Sequence, residues 1–315
     1  MFPFEEPESR EAAALAMAAL TDAAWVLAAV IDVLGREMPM KYRSDDVPAR
    51  ILAAAGLLHE DGDGFSPAAG MTALMEHGGP ALVESMRSAV GRIATVVRGG
   101  SLQEGWATED DETLVAQGAA SGGLVSVVLP AVFGQLPELE EQVHAAGACF
   151  LDVGVGVAGM ACALAEAFPS LSIVGIDPLP RAIRLASQAV AARDLGQRVA
   201  LRACGVQDID DQDAFDVAWI PAPFVPPPDF EAGLANLHRA LRPGGWILVG
   251  MGRLDGRGVP AEVTRWQTTL AGGTPLTPDE AATLLTNAGF TDIVRVTTPP
   301  TTPVLVAARR TARSG

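Results

Sequence analysis

Basic charge is scarce in this chain. Its 315 residues carry 22 Lys and Arg against 38 Asp and Glu, a net charge of −16 with a pI near 4.6. No basic stripe that could track a phosphate backbone is visible, which argues against a nucleic-acid partner. Histidine is scarce too. His59, His77, His144 and His238 are the only four, and no His/carboxylate cluster accompanies them, so no metal site is expected. The three cysteines, Cys149, Cys162 and Cys204, are odd in number, lie in apolar segments and lack metal-ligand spacing. They read as reduced core residues of a cytoplasmic protein. A secretory leader is not evident, because residues 2–10 are acidic and proline-containing where a leader is basic. The long apolar run at 12–31 is broken by Asp22 and is mostly alanine, which drives membrane insertion weakly. It reads as a helix of a core or dimer seam, and no membrane partner is expected.

What the chain does have is a glycine turn that organises its second half. An apolar run, Cys149-Phe150-Leu151, leads into Asp152, then glycines at 154, 156 and 159, then a stretch of helix formers to Phe168. This is the pattern of strand, tight turn and helix. One glycine permits the turn, one lets a ligand approach the backbone, and one packs the helix close to the strand. The helix N-terminus presents free N–H groups at the strand tip. A second strand at 171–176 ends in Asp177, where an acid can bind ribose hydroxyls. Both NAD and S-adenosyl-L-methionine (SAM) carry that ribose, and Gly154-x-Gly156-x-x-Gly159 formally suits either. Asp152 separates them. A carboxylate there faces the pyrophosphate of NAD unfavourably but suits the ammonium of a methionine moiety. An NAD-dependent oxidoreductase is the distant alternative.

The remaining pattern gives the organisation. Residues 11–35 read as helix ending at Gly35. A helix at 47–58, stopped near Gly56, precedes a polar hairpin at 59–67 with Asp-Gly turns. Helix then hairpin is the pattern of a winged helix, but Arg50 is nearly alone as a positive charge on the helix, which speaks against DNA. Residues 70–99 read as one further helical stretch with methionines as core filler. A polar linker at 99–112 contains Trp106. Helices follow at 112–132 and 137–146, and Gly122-Gly123 inside the first suggests a kink or a close backbone approach. From 149 on, strands at 149–153, 171–176, 199–203, 215–220, 246–251, 293–297 and 303–308 alternate with helices at 157–167, 179–195, 229–241 and 278–288. This predicts an α/β fold, a Rossmann-like doubly wound, mostly parallel seven-stranded sheet with ligands at the carboxyl ends of its strands.

These stretches together resemble the class I SAM-dependent methyltransferases. Asp152-Val-Gly154-Val-Gly156 resembles their first motif and Asp177 the acid of the second. The segment from Leu237 through Arg242-Pro-Gly-Gly-Trp246 to Val249 resembles their helix, Pro-Gly-Gly turn and fifth strand, and 277–290 their late helix with its Ala-Gly-Phe ending. With its helical, winged-helix-like N-terminal half the chain is similar to bacterial small-molecule O-methyltransferases of secondary metabolism. The resemblance implies a dimerisation and lid domain at 1–110, connecting helices at 111–147, and a SAM-binding domain at 148–315. It implies a homodimer, an acceptor held between the domains, and S-adenosyl-L-homocysteine (SAH) as product. Cofactor contacts fall to Asp152, Gly154, Val155, Gly156, Asp177, Pro178, Gly205, Val206, Pro221 and Gln117, and acceptor walls to Trp106, Trp219, Phe224 and Trp266.

The chain departs from that pattern twice. The family often has an acid for the adenine amino group after its third strand, where this chain has Gly205, with Asp208 the nearest carboxylate. Adenine recognition is then expected from backbone contacts and from Val206. The family's histidine base has no counterpart in 219–226, a stretch without ionisable groups. His144 and His238 are the candidates left for a catalytic role. Transfer from a sulfonium needs chiefly alignment and exclusion of water, so catalysis without a dedicated base is expected. The acceptor atom is read as a hydroxyl oxygen; C- or N-methylation, or a SAM-binding protein that does not methylate, are the alternatives.

Overall fold

The structure is a computed structural model, and it describes residues 9–36, 41–76, 79–99, 111–254, 256, 258–299 and 302–311. The chain divides into two units, Met1–Gly100 and Ser101–Gly315. The helices expected as a connector at 111–147 therefore belong to the unit that holds the sheet.

The first unit contains α1 (Arg10–Leu34), β1 (Tyr42–Arg43), α2 (Val47–Ala54), β2 (Leu58–Asp61), β3 (Gly64–Pro67), α3 (Ala69–Glu76) and α4 (Gly79–Val97). Ser9 caps α1 by accepting from the Ala12 N–H at 3.1 Å, and Asp46 caps α2 in the same way. The hairpin predicted at 59–67 is β2 paired antiparallel with β3, turning through Gly62 at φ +63°. The helical stretch expected over 70–99 comprises two helices, with Gly79-Pro80 opening the second, as proline favours a first turn. Only the C-terminal end of α1 is buried, through Ala29, Val30, Val33 and Leu34, which pack with Tyr42, Leu52 and Phe65. Leu15, Met17, Leu20 and Trp25 stand exposed along the same helix. By length and composition α1 and the helical segment 117–135 are apolar enough to cross a membrane.

The second unit runs α5 (Asp111–Gln135), α6 (Pro137–His144), β4 (Cys149–Val153), α7 (Gly159–Ala167), β5 (Ser172–Ile176), α8 (Pro180–Ala191), β6 (Val199–Arg202), β7 (Phe215–Pro221), α9 (Pro227–Ala240), β8 (Leu241–Met251), α10 (Val259–Leu270), α11 (Pro278–Asn287), β9 (Phe290–Val296) and β10 (Val304–Arg310). Seven strands form one sheet in the order β6-β5-β4-β7-β8-β10-β9, parallel except for β10, which runs antiparallel to both its neighbours. The central strands β4 and β7 are almost wholly buried because both faces are covered, whereas the edge strands β6 and β9 carry exposed polar residues. One core joins the sheet to side chains of α5, α6, α7 and α8, the other to those of α9 and α11. The chain leaves β4 toward β5 and β6, then returns to lay β7 on the other side of β4. That reversal opens a crevice beyond the carboxyl ends of β4 and β7.

One local expectation is corrected. The Pro243-Gly-Gly segment is part of β8, which starts at Leu241; a register shift opposite Phe215 and Val217 absorbs it as a bulge. Gly159 also packs against a neighbouring helix. A Cβ on Gly159 would run into the backbone carbonyl of Gly118, and one on Gly122 would lie 3.0 Å from the carbonyl oxygen of Gly159. The glycines at 118, 122 and 159 thus let α5 cross α7 backbone to backbone. This is the close approach foreseen for Gly122, whereas Gly123 faces open space. Helix α10 has no counterpart in the sequence reading.

Candidate active site

The glycine turn sits at the switch point. Gly154 and Gly156 take φ of +67° and +55°, values that a side chain strains, and they carry the chain from β4 toward α7. Ala158 holds φ +64° while fully buried, and no side chain caps the helix it begins. Its N-terminal N–H groups are therefore open to a ligand. Asp177, at the tip of β5, ties the turn down. Its Oδ2 accepts from the Gly156 N–H at 3.0 Å and its Oδ1 from the Leu179 N–H at 2.9 Å. Burial raises its pKa even so, against the pull of those two donors. Each oxygen keeps a further acceptor site for a hydroxyl.

Asp152 is in a less satisfied position. It is 2% exposed, and its Oδ2 has no hydrogen-bond partner among the described residues. Burial, and next the charge of Asp177, push its pKa up to about 7. A buried carboxylate with an open oxygen calls for a cation or a donor from outside the chain.

Two cavities meet here. One, about 140 Å³, is lined by the turn glycines, Asp177, Pro178, Leu179, Gly205, Val206 and Asp229, among others. The other, about 430 Å³, is lined by Asp152, Met160, Trp219, Pro221, Arg253 and Thr302, among others. Gln117, Ser121, Gly154, Val155 and Phe224 line both, so the two abut along α5 and the glycine turn. The wall segment after β7 is held in place by Thr274, which donates from its N–H to Ala222 and from Oγ1 to the Val225 carbonyl, both at 2.8 Å. Trp219 lies over Gly250, where a Cβ would strike the indole ring.

Every cofactor residue named from the sequence lines one or both of these cavities, Asp152 and Pro221 the larger one only. Trp219 and Phe224, named as acceptor walls, line the larger cavity. Trp266, on α10, is 53% exposed and lines neither, so it is not an acceptor wall of these cavities. Trp106 lies outside the described residues. Neither histidine candidate reaches the cavities. His144 ends α6, five residues before β4 begins, and packs its ring against Phe133 and Phe168 at the opposite end of the sheet. His238 packs against Phe290 at 5.0 Å, and burial lowers its pKa. Sequence reasoning missed Ser121, Gln207, Asp229 and Arg253. For Ser121 a signal existed, since 114, 117, 118 and 121 fall on one helical face beside the glycine pair.

The residues present fit SAM. Asp152 offers the acceptor that an ammonium needs, Asp177 offers ribose contacts, and the bare turn lets both approach. Comparison with known proteins agrees. Residues 150–245 match the family model described as "Methyltransferase domain". No curated protein is a significant match to the sequence. Among solved structures, the chain is similar to the SAM-dependent methyltransferase SibL in its apo form, at 20% identity and TM-score 0.68, over 95% of this chain and 99% of that one. It is similar to human N-acetylserotonin methyltransferase in complex with SAM, at 17% identity and TM-score 0.67, over 98% and 100%. It is also similar to the mitomycin 7-O-methyltransferase MmcR, at 18% identity and TM-score 0.64, over 95% and 98%. The dinucleotide reading of the glycine turn is set aside. Residues 150–245 match a methyltransferase-domain family model, and the unit that contains them has the fold of the SAM-dependent methyltransferases it resembles.

Proposed function

We propose that the chain methylates a hydroxyl oxygen on a small, largely apolar or aromatic metabolite, in the manner of secondary metabolism. One observation carries this reading furthest: a cavity of about 430 Å³, walled by Trp219, Phe224 and prolines, opens directly beside the cofactor turn. A SAM-binding protein without transfer activity has no use for that second space. Two of the structural neighbours are named for small-molecule substrates, one of them for a 7-O-methyl product.

SAM supplies an electrophilic methyl group on a sulfonium with a good leaving group. The chain's part is to hold and orient. Asp152 pairs with the amino group, Asp177 holds the ribose, and Trp219 and Phe224 confine the acceptor and exclude water. Alignment of this kind lowers a barrier by up to about 7–11 kcal/mol. Among the described residues no His lines the larger cavity, and its ionisable lining residues are Asp152 and Arg253. With Asp152 committed to the ammonium, an acidic hydroxyl such as a phenol would give up its proton to solvent on entry, before the cavity closes around it, and be methylated as the phenolate.

The exposed apolar side of α1, with Leu15, Met17, Leu20 and Trp25, supports a homodimer joined through the N-terminal unit. Asp22 on the same helix argues for a protein partner over a lipid one. The helix α2 with its β2–β3 hairpin is read as a winged-helix-like element of that dimer, not a DNA reader. A cytoplasmic location fits the free cysteines. The test is incubation with SAM and a panel of phenols, enols and amines. SAH release with a phenol and an O-methyl product supports the proposal; release only with amines moves the methyl group to nitrogen.

A further inference from the structure

The smaller cavity has apolar side chains from separate segments, Leu179, Val206 and Val225, among its lining. Surfaces of that kind hold the faces of a planar heteroaromatic base, and its identity is read at its edge by hydrogen bonds. Besides Asp177, the polar side chains in this lining include Gln207 and Asp229.

Three features single out Gln207. First, residue 205 has no side chain, and a Cβ built on buried Gly205 would lie 2.6 Å from Gln207 Cδ. The carboxamide thus folds into the space that a side chain at 205 would occupy. Second, the turn that carries it, Val206–Asp208, is clamped. Asn236 Nδ2 donates to the carbonyls of Val206 at 3.1 Å and Gln207 at 2.8 Å, and Arg239 donates to Asn236 Oδ1 at 3.0 Å. From the same helix, Gly233 packs on Val206 so closely that a Cβ would lie 2.6 Å from its Cγ1. Third, among the described residues the carboxamide of Gln207 makes no hydrogen bond, so its carbonyl and its NH₂ both remain to be used.

The geometry points to Gln207 as the residue that reads the purine edge of the bound cofactor. Its Oε1 accepts from the 6-amino group while its Nε2 donates to the adjoining ring nitrogen. This rests on the SAM reading above. A carboxamide carries donor and acceptor in one plane, which matches the donor and acceptor on an adenine edge. A carboxylate would serve only the amino group. Adenine recognition, expected from backbone contacts because Gly205 lacks an acid, then belongs to a side chain two residues further on.

The test is a ligand-by-mutation cycle, read by calorimetry on the full chain. The ligands are SAH and its analogue with hydrogen in place of the 6-amino group. The proteins are wild type, Gln207→Ala and Gln207→Met, the last keeping the packing but not the hydrogen bonds. Wild type should prefer SAH by about tenfold, and both variants should bind the two ligands within about twofold of each other. If Gln207 only props the turn, both affinities fall together and the preference survives, which overturns the assignment. Loss of the preference in Asp229→Ala, with Gln207→Ala unaffected, overturns it in favour of Asp229. If wild type binds neither ligand, the cofactor reading fails as well; if it binds both equally, the assignment of Gln207 alone fails.

Discussion

At the scale of single residues, the site turns on one carboxyl group that is badly placed in the ligand-free protein. Asp152 titrates near 7 in the fold and near about 3.9 in an unfolded chain. Between those values the native state holds a proton that the unfolded state has released, so stability falls as pH rises from about 4 to about 7. The effect is of the order of a few kcal/mol. Asp152→Asn should therefore raise the melting temperature of the ligand-free protein at pH 8 and flatten its fall between pH 5 and pH 8. The same variant should weaken SAH binding by roughly ten- to a hundredfold, since a charge-assisted bond to the ammonium is lost. In wild type, SAH affinity should rise with pH through about 7 as Asp152 ionises. A thermal-shift and calorimetry series over pH checks all three. The histidines give the complementary prediction. His144→Ala and His238→Ala should each keep activity within about tenfold, because a true general base is worth about 10²–10⁴. A thousandfold loss in either, with the fold intact, would identify a base. Asp152 and Asp177 were legible in the sequence because they sit at fixed offsets from glycines and a strand end. Gln207, Asp229 and Thr274 were not. Their roles depend on α9 and the segment before α11 folding back onto the crevice, and no local spacing records that.

At the scale of elements, the strongest constraint is the crossing of α5 on α7. Gly122 and Gly159 leave no room for a methyl group between two backbones, and Gly118 leaves none beside the Val157 side chain. Gly159→Ala should destabilise the protein by about 1–3 kcal/mol through overpacking, and should disturb the turn that Asp177 braces. Gly123→Ala meets nothing within 4 Å and should stabilise by roughly 0.5–1 kcal/mol through helix propensity. Urea melts of the two variants should move in opposite directions. The alternation of strands and helices from 149 onward was readable because buried parallel strands are short apolar runs between turn residues. The Pro-Gly-Gly bulge was not. Proline and paired glycines look locally like a turn, and it is the pairing of Leu241 and Trp246 with β7 on either side of them that carries the strand across as a bulge. Helix α10 escaped because only Ala261 and Thr268 are buried while its apolar Val259, Val263 and Trp266 are exposed, which leaves no core-facing apolar periodicity to detect.

At the scale of the whole molecule, the two units divide the work, the second presenting the crevice and the first an apolar helix that a single chain leaves in water. Light scattering at micromolar concentration should report about twice the 32.6 kDa chain mass. A clean monomer would count against the dimer. The net charge of −16 predicts that polyanions such as nucleic acids will not be retained at physiological salt. The central claim, that the crevice beyond β4 and β5 binds SAM through two buried carboxylates, is tested most directly by calorimetric titration of SAH into wild type and Asp177→Ala. Loss of the ribose contact should weaken binding by about 1.5–3 kcal/mol, roughly ten- to a hundredfold, in a variant that still melts cooperatively. Wild-type affinity in Asp177→Ala, or no heat from wild type itself, would contradict it.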